Sequence, residues 1–205
     1  MMKAAVLTGH GGIEKLEYRD VKIPNIGKED VLLKVLACGV NNTDVNLRLG
    51  WYSKSVKTST ESTDGIEDKE DGGWNSSVKF PFIQGTDCCG RVVEMGSDVK
   101  SLRIGERVIV RPCQGEMWMG SDYDGAFAEY VRVPHTECFV VKSETLSDVE
   151  LGSIPCAFAT AENMLHRAKV CEKDHVLVPG ASGGVGLAVV LLSLRYVCVV
   201  FDLVT

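Results

Sequence analysis

The fold of this chain is decided by Val176-Leu177-Val178-Pro179-Gly180-Ala181-Ser182-Gly183-Gly184-Val185-Gly186-Leu187, where an apolar run passes through a glycine turn into a second apolar run. The pattern predicts a buried strand, a tight turn and a helix that begins near Gly184. Glycines let a ligand approach the backbone closely, and the N–H groups at a helix start attract phosphate. The turn is therefore a candidate pyrophosphate site, formed by Ala181, Ser182, Gly183, Gly184, Val185 and Gly186. A tight turn without a ligand stays open as an alternative, because Ala181 replaces the first glycine of the usual fingerprint.

The composition is typical of a globular protein with a substantial core and without a basic binding surface. The 205 residues are 45% hydrophobic, and their formal net charge is −6. This acidic balance disfavours binding to nucleic acid or to anionic lipid. The eight cysteines are scattered without a C-x-x-C spacing, which favours reduced thiols in the cytoplasm over a disulfide framework.

Neither end of the chain has the pattern of a targeting or membrane segment. The run Met1–Thr8 is predicted to be a strand rather than a signal peptide. The apolar run 185–203 is interrupted by Arg195, and neither half is long enough to cross a bilayer. We therefore expect a cytoplasmic protein that binds neither membranes nor nucleic acid.

Most of the chain before residue 150 is predicted to form short strands separated by turns. Strands are expected at Ala4–Thr8, Leu16–Val21 and Val31–Ala37, and within 80–96, 102–110 and 125–134. Strands at this spacing are typical of a barrel-like β domain. Ser147 is then expected to cap a helix from Asp148, and a second helix is expected at Ala157–Ala168. The fold class is thus mixed α+β and α/β, with a β-rich domain at 1–150 and an α/β domain at 151–205.

Two stretches of the β-rich domain are unusually polar. Cys38-Gly39-Val40-Asn41-Asn42-Thr43-Asp44 follows the third strand directly, and Thr43 or Asp44 is expected to cap a short helix at Val45–Leu49. Polar residues between a strand end and a helix start are a common place for a site. Residues 51–79 are rich in serine, threonine, glycine and acidic residues, and they are predicted to form a surface loop, either a tolerated insertion or a lid.

Several motifs occur in the order that is typical of one family. They are Gly39-Val40-Asn41-Asn42-Thr43-Asp44, Gly85-Thr86-Asp87-Cys88-Cys89-Gly90-Arg91-Val92-Val93-Glu94-Met95-Gly96, Arg103-Ile104-Gly105-Glu106-Arg107-Val108, Gly125-Ala126-Phe127-Ala128-Glu129-Tyr130, Thr160-Ala161 and Gly180–Gly186. With them the chain resembles the medium-chain dehydrogenase/reductase superfamily over nearly its whole length, apart from the insertion. The resemblance implies a GroES-like catalytic domain followed by the first part of a Rossmann dinucleotide-binding domain.

The resemblance also indicates which branch of the family is favoured. The zinc-dependent branch has a cysteine where this chain has Asn41 and a histidine where it has Thr86, and a catalytic zinc needs three protein ligands. Cys156 alone falls near a ligand position, and Cys113 stands alone where the structural zinc lobe has four cysteines. We therefore expect no zinc, and the chain is more similar to the zinc-free quinone oxidoreductase branch.

In that branch a nicotinamide, usually from NADPH but also from NADH, delivers hydride to a quinone or an enone. The resemblance implies that Asn41 contacts nicotinamide or substrate, that Tyr52 closes over the acceptor, and that Thr160 contacts the cofactor. Thr86 joins Asn41 and Tyr52 as an expected catalytic residue. Structural interpretations stay open: Asn41 as a turn cap, Tyr52 packed on the loop, and Thr160 bonded back along its own helix. The expected partner is a small quinone or enone, and the full-length form is compatible with a homodimer.

A complete dinucleotide domain of this family has more strands than this chain can supply. The family continues after Arg195 with a glycine-containing turn, but here the strand-like run Tyr196–Asp202 begins at once. We interpret the chain either as a fragment or altered product that diverges at its end, or as a shortened protein that has lost catalysis, and we expect little turnover from the 205 residues alone. Two other functions stay open: a relative of the zinc-dependent alcohol dehydrogenases, and a non-catalytic GroES-like module that binds a partner through 51–79.

Overall fold

The structure, a computed structural model, describes residues 1–52, 78–114, 117–196 and 198–203. The chain divides into a first unit, Met1–Ser153, and a second unit, Ile154–Thr205. Each hydrophobic cluster among the described residues belongs to one unit alone. The predicted loop or lid at 51–79 lies almost entirely outside the described residues and stays a prediction.

The described part of the first unit is mainly β structure. Its strands and helices are β1 Met2–Leu7, β2 Leu16–Val21, β3 Asp30–Ala37, α1 Asn42–Leu49, β4 Phe82–Ile83, β5 Cys89–Met95, β6 Arg107–Val110, β7 Cys113–Gln114, β8 Met117–Trp118, β9 Tyr130–Pro134, β10 Cys138–Val140 and α2 Asp148–Gly152. The strand predicted at Leu16–Val21 has the expected bounds. The strand expected within 102–110 begins only at Arg107, because Gly105 adopts a turn conformation with φ +90° just before it.

The largest sheet of the first unit has the strand order β10-β6-β5-β3-β9, and its strand pairs are antiparallel. Alternate residues of this sheet point into one core, for example Val31 and Leu33 on β3 and Val131 and Val133 on β9, which are all at most 2% exposed. This alternation is the period-2 pattern of strands that turn one face into this core. A second sheet, β2-β1-β4, packs Met2, Ala4, Val6 and Ile83 into a smaller cluster.

Helix α1 starts earlier than the sequence predicts. Its N-cap is Asn41, in extended conformation, and not Thr43 or Asp44. Asp44 lies at the third helical position, where its carboxylate accepts the Asn41 backbone N–H at 2.8 Å. This reciprocal arrangement is a capping box, which lets the helix begin at Asn42 instead of Val45.

Helix α2 begins where the sequence predicts. Ser147 is its N-cap, and the Ser147 hydroxyl accepts the backbone N–H of Glu150 at 3.2 Å. The Glu150 carboxylate accepts the Ser147 backbone N–H at 2.8 Å in return, so the predicted cap is confirmed.

The second unit contains α3 Pro155–Arg167, β11 His175–Pro179, α4 Gly184–Arg195 and β12 Val199–Leu203. β11 and β12 are parallel and are joined by α4, as expected of a βαβ connection. One hydrophobic cluster joins the two helices to β11, and its buried residues are Ala161, Leu165, Val178, Ala181, Ala188 and Val189. The predicted strand, glycine turn and helix from Gly184 are therefore confirmed.

None of the helices within the described ranges combines the length and the apolar character that a membrane crossing requires.

Candidate functional site

A polar cluster forms in the first unit where β3 ends and β5 begins. Strands β3 and β5 pair Ala37 with Cys89, so the residues just after β3 lie beside those just before β5. Helix α1 then leads the chain away from Asn42. The predicted site residues Asn41 and Thr86 meet at this point, although 45 positions separate them in the sequence.

The side-chain amide of Asn41 is the centre of this cluster. Its Nδ2 donates to the Asp87 carboxylate Oδ2 at 2.9 Å and lies 3.5 Å from the Thr86 hydroxyl. Asn41 is half-buried, while Thr86 and Asp87 are only 8% and 1% exposed. The amide is thus held against a buried carboxylate, and buried polar groups need such partners.

Cys38 and Gly39 close the cluster around Asp87. The Cys38 thiol donates to the Asp87 backbone carbonyl at 2.8 Å. A Cβ atom at Gly39 would lie 2.5 Å from the Asp87 Oδ2 and 2.9 Å from the Gly152 carbonyl oxygen, closer than carbon atoms approach oxygen. Position 39 therefore has room for glycine alone.

Two buried carboxylates perform different tasks in this cluster. The Asp44 carboxylate accepts the backbone N–H of Asn41 at 2.8 Å, whereas the Asp87 carboxylate accepts the side chain of Asn41. Burial raises the pKa of Asp44 to about 6, and the nearby Asp87 charge contributes in the same direction. Burial also raises the pKa of Cys38 far above neutrality, with Asp44 and Asp87 adding to the effect.

The sequence did not reveal how Asp87, Asp44 and Gly39 contribute to this cluster. The one available signal was a charged residue, Asp87, inside the run from Phe82 to Gly90, which has no other charged residue and is buried throughout. A buried charge without a partner is costly, so such a residue points to a specific partner elsewhere in the fold. Thr43 differs from Asp87 in this respect, because its hydroxyl is buried but has no hydrogen-bond partner among the described residues.

Tyr52 lies at the far end of α1 from Asn41. The helix has eight residues, which corresponds to about 12 Å at a rise of about 1.5 Å per residue. Tyr52 packs against the buried cluster of Leu7, Leu47 and Phe82. The structure thus supports a packing contact for Tyr52, and its contact with an acceptor stays a prediction.

In the second unit, the glycine turn has the form that a pyrophosphate site needs. Gly180 has φ +82°, a conformation that favours glycine, and a Cβ at Gly186 would overlap the Gly180 carbonyl. A Cβ at Gly183 would meet only the Gly180 carbonyl oxygen, at 3.7 Å, so space remains in front of this residue. Gly183 and Gly184 are exposed, and the first N–H groups of α4 have no acceptor within the helix. The turn therefore fits a phosphate group.

Thr160 lies on the exposed side of α3. Its hydroxyl donates to the Cys156 carbonyl oxygen at 2.7 Å, which is the bond back along its own helix that the sequence left open. Its proposed contact with a cofactor stays a prediction.

Within the described ranges, no group of three or more histidine, cysteine, aspartate or glutamate side chains could hold a metal ion. Cys156 is half-buried in α3 and Cys113 is half-buried in β7. Within the described ranges, the cysteines form no disulfide bond with one another. The expected absence of zinc stays a prediction.

A cavity of about 710 Å³ opens elsewhere in the first unit, against β1, β2, β4 and β9. Asn41, Thr86 and Asp87 do not line it. We place the candidate site at the Asn41 cluster because Asn41 and Thr86, which the sequence predicts as catalytic residues, lie together there.

A β-rich unit with this polar cluster, followed by a βα unit with a glycine turn, defines a dehydrogenase-like class of protein. Residues 27–143 match the family model described as the alcohol dehydrogenase GroES-like domain, which is more than half of the 205-residue chain. The chain belongs to this family, within the medium-chain dehydrogenase/reductase superfamily. The predicted family and fold class are confirmed: a GroES-like β-rich domain followed by the first part of a Rossmann domain.

Curated relatives include enzymes with different acceptors. The chain is 31% identical over 209 residues to an NAD-dependent alcohol dehydrogenase of Sulfurisphaera tokodaii, covering 94% of this chain and 55% of the relative. It is 30% identical over 193 residues to a 2-methylene-furan-3-one reductase of Solanum lycopersicum, covering 94% of this chain and 44% of the relative. The chain thus spans about half the length of the curated relatives it matches.

The similar solved structures also include both alcohol dehydrogenases and quinone oxidoreductases. The chain is similar to a candidate alcohol dehydrogenase from Sinorhizobium meliloti 1021, with a TM-score of 0.84 and 41% identity, covering 98% of this chain and 56% of the other. It is also similar to a quinone oxidoreductase from Coxiella burnetii, with a TM-score of 0.79 and 28% identity, again covering 98% and 56%. Relatives are therefore oxidoreductases that use NAD(P), and their acceptors differ.

Proposed function

We propose that this chain is part of an NAD(P)H-dependent oxidoreductase that transfers hydride to a quinone or an enone. The observation that carries this proposal is the chemistry of the Asn41 cluster. An amide and a hydroxyl, Asn41 and Thr86, occupy the predicted site, and these groups orient ligands by hydrogen bonds rather than holding a catalytic zinc. The relative named 2-methylene-furan-3-one reductase supports an acceptor in which a carbonyl is conjugated to a double bond.

The glycine turn of the second unit would hold the pyrophosphate of the cofactor. Gly183 and Gly184 leave the backbone exposed, and the N–H groups at the start of α4 point toward any phosphate bound there. When bound, the nicotinamide supplies the hydride. We prefer NADPH, with NADH as the other candidate.

The residues of the Asn41 cluster would orient the reacting groups. Asn41 would contact the nicotinamide or the substrate, and the Thr86 hydroxyl would donate a hydrogen bond to the acceptor carbonyl and polarise it. Tyr52, which packs against Leu47 and Phe82, would contact the acceptor. Thr160 would contact the cofactor with a hydroxyl that is at present bonded to Cys156.

We propose that a protein as long as the relatives catalyses this reaction. We expect little or no turnover from these 205 residues alone. The walls for adenine and nicotinamide in a dinucleotide domain come largely from strands beyond the first βαβ unit. Binding to the glycine turn alone is therefore expected to be weak but measurable.

The proposal predicts that the 205-residue chain binds NADPH at Gly183. Replacing Gly183 with valine places a side chain where the phosphate would lie, and we expect the affinity for NADPH to fall at least tenfold. The nearest protein atom is 3.7 Å from the new Cβ, so the free energy of unfolding should change by less than about 1 kcal/mol. Isothermal titration calorimetry and urea unfolding measure the two effects.

Gly9→Val is the matched control for this experiment. A Cβ at Gly9 would meet only the Lys15 side chain, at 4.0 Å, so this variant also adds a side chain in open space but in the first unit. Its affinity for NADPH should equal that of the unchanged protein. Equal weakening by both variants, or no binding by the unchanged chain at millimolar NADPH, would contradict the proposed function.

A further inference from the structure

The cavity of the first unit has an apolar floor. Met2 and Val6 of β1 and Ile83 of β4 line it, and they are only 4%, 3% and 6% exposed. Val21, which lies opposite Met2 on β2, lines it too and packs against the same hydrophobic cluster. The volume of about 710 Å³ falls within the ~300–1,000 Å³ that is usual for small-molecule sites, which are mostly apolar with a few polar groups. The cavity therefore has the size and the surface to hold the apolar body of a small organic molecule.

Four cationic residues line the same cavity, and all four are exposed: Arg19, Lys22, Lys79 and Arg132. Arg19 is paired with Ala4, so its side chain leaves the sheet on the face that carries the apolar cluster. Arg132 lies between two valines of β9 that enter the core of the large sheet, so its side chain points away from that core. Because the cationic residues are exposed and the apolar ones are buried, the charges form the rim of the cavity.

The cationic rim is not neutralised by the carboxylates that line the cavity. Asp122 accepts the backbone N–H of Trp118 at 2.7 Å, and Asp124 accepts that of Ile83 at 2.8 Å. These two carboxylates thus have a structural task in the turn before β9 and at β4. Four cationic residues against two carboxylates leave an excess of positive charge here, although the whole chain has a formal net charge of −6.

The cationic side chains are available to a ligand. Lys22 and Lys79 form neither a hydrogen bond nor an ion pair with any residue in the described ranges. Arg19 pairs with Glu17 at 2.9 Å, but both side chains are more than 40% exposed, and the distance from Arg132 to Asp30 is 3.8 Å. Exposed ion pairs contribute little free energy, so an anion can replace them at small cost.

We propose that this cavity binds a small organic anion, with the apolar body of the ligand on the floor formed by Met2, Val6 and Ile83 and its carboxylate at the cationic rim. The proposal is independent of the proposed function, because Asn41 and Thr86 do not line the cavity. A cavity with an apolar floor alone would prefer neutral molecules. The excess of cations at the rim is what selects an anion.

The first experiment measures the binding of octanoate to the 205-residue chain by isothermal titration calorimetry. Octan-1-ol has the same apolar body without the charge, octylammonium has the opposite charge, and butanoate has the charge with a shorter body. We expect octanoate to bind at least tenfold more tightly than each of the three, because it alone uses both the floor and the rim. Failure to bind octanoate at millimolar concentration would overturn the proposal, and so would an equal affinity for octanoate and any one of the other three.

The second experiment tests the rim by charge reversal. Lys22→Glu and Lys79→Glu should each weaken the binding of octanoate at least threefold, and the double variant should weaken it at least tenfold. Lys142→Glu is the matched control, because Lys142 is also exposed but follows β10, at the opposite edge of the large sheet from β9. The affinity of this control should stay within about twofold of the unchanged protein. Equal weakening by all three single variants would show a general effect of net charge and would overturn the assignment to this cavity.

The third experiment locates the bound octanoate by NMR of the 15N-labelled chain. The backbone amides of Ile83 and Tyr130, which line the cavity, should shift as octanoate is added. Those of Leu177 and Phe201, which are exposed apolar residues of the second unit, should not. Shifts confined to the second unit would mean that octanoate binds the exposed apolar strands there, and the proposal would be wrong.

Discussion

Asp44 gives the Asn41 cluster a dependence on pH. Its carboxyl group has a pKa of about 6 in the folded protein against an ordinary value of 3.8, chiefly because it is buried. A raised carboxyl pKa means that the folded state binds the proton more tightly than the unfolded state does. Stability from this group is therefore highest at low pH and is lost as the pH rises.

We expect the free energy of unfolding of the first unit to contain a contribution from Asp44 that falls by up to about 3 kcal/mol between pH 4 and pH 6. Asp44→Asn cannot ionise and should remove this contribution. Urea unfolding at several pH values should show a difference between the two proteins that changes over this interval and is constant above it. Asp98→Asn, at an exposed carboxylate, is the control, and a difference independent of pH would contradict the prediction.

At the scale of single residues, the sequence predicted Asn41 and Thr86 as site residues but did not indicate that Asp87 contacts Asn41. Asn41 and Asp87 are separated by 46 positions, and only the register of β3 on β5 brings them together. No local pattern carries that information. The sequence predicted Thr43 or Asp44 as the N-cap of α1, because several cap-forming residues follow one another there. The structure has Asn41 as the N-cap, and the contact of Asn41 with the distant Asp87 helps to select it.

At the scale of elements, local patterns predicted most of what the structure contains. The alternation of apolar residues located the strands, and the serine with a glutamate three residues later located the start of α2. The glycine turn and α4 followed from an apolar run that begins after glycines. The bounds of strands were less predictable, because the point where pairing stops depends on neighbours that are distant in sequence.

The two glycines of the turn between β11 and α4 should respond differently to substitution. A Cβ at Gly186 would overlap the backbone of Gly180 and Ala181, so Gly186→Ala should destabilise the second unit by about 1–3 kcal/mol. A Cβ at Gly183 has space, and Gly183→Ala should cost less than about 1 kcal/mol. Hydrogen exchange of the β11 backbone amides measures the local stability. Equal protection in the two variants would show that α4 does not pack closely on the turn.

At the scale of the whole molecule, the described strands of the second unit expose apolar side chains on one face of their sheet. Leu177, Val199 and Phe201 are 60%, 47% and 52% exposed, while α3 and α4 cover the buried residues of the unit. Exposed apolar strands are places where chains associate.

We expect the 205-residue chain to self-associate through this face, and Phe201→Lys to weaken the association at least tenfold. A lysine on a strand adds a charge that must be desolvated when two faces meet. Sedimentation velocity at several concentrations measures the association. Phe139→Lys is the matched control, since Phe139 is 50% exposed on β10 of the first unit, and an equal effect of both substitutions would argue against a specific face.

The burial of Cys38 has a chemical consequence if the proposed function holds. Quinones and enones alkylate cysteine when its sulfur is deprotonated. Cys38 is only three residues before Asn41 in the sequence. Burial, with Asp44 and Asp87 nearby, raises the pKa of Cys38 so far that almost no thiolate exists at neutral pH, and the proton that remains is donated to the Asp87 carbonyl. Burial within the Asn41 cluster, helped by its two carboxylates, thus also protects the protein from modification by the very molecules it is proposed to reduce.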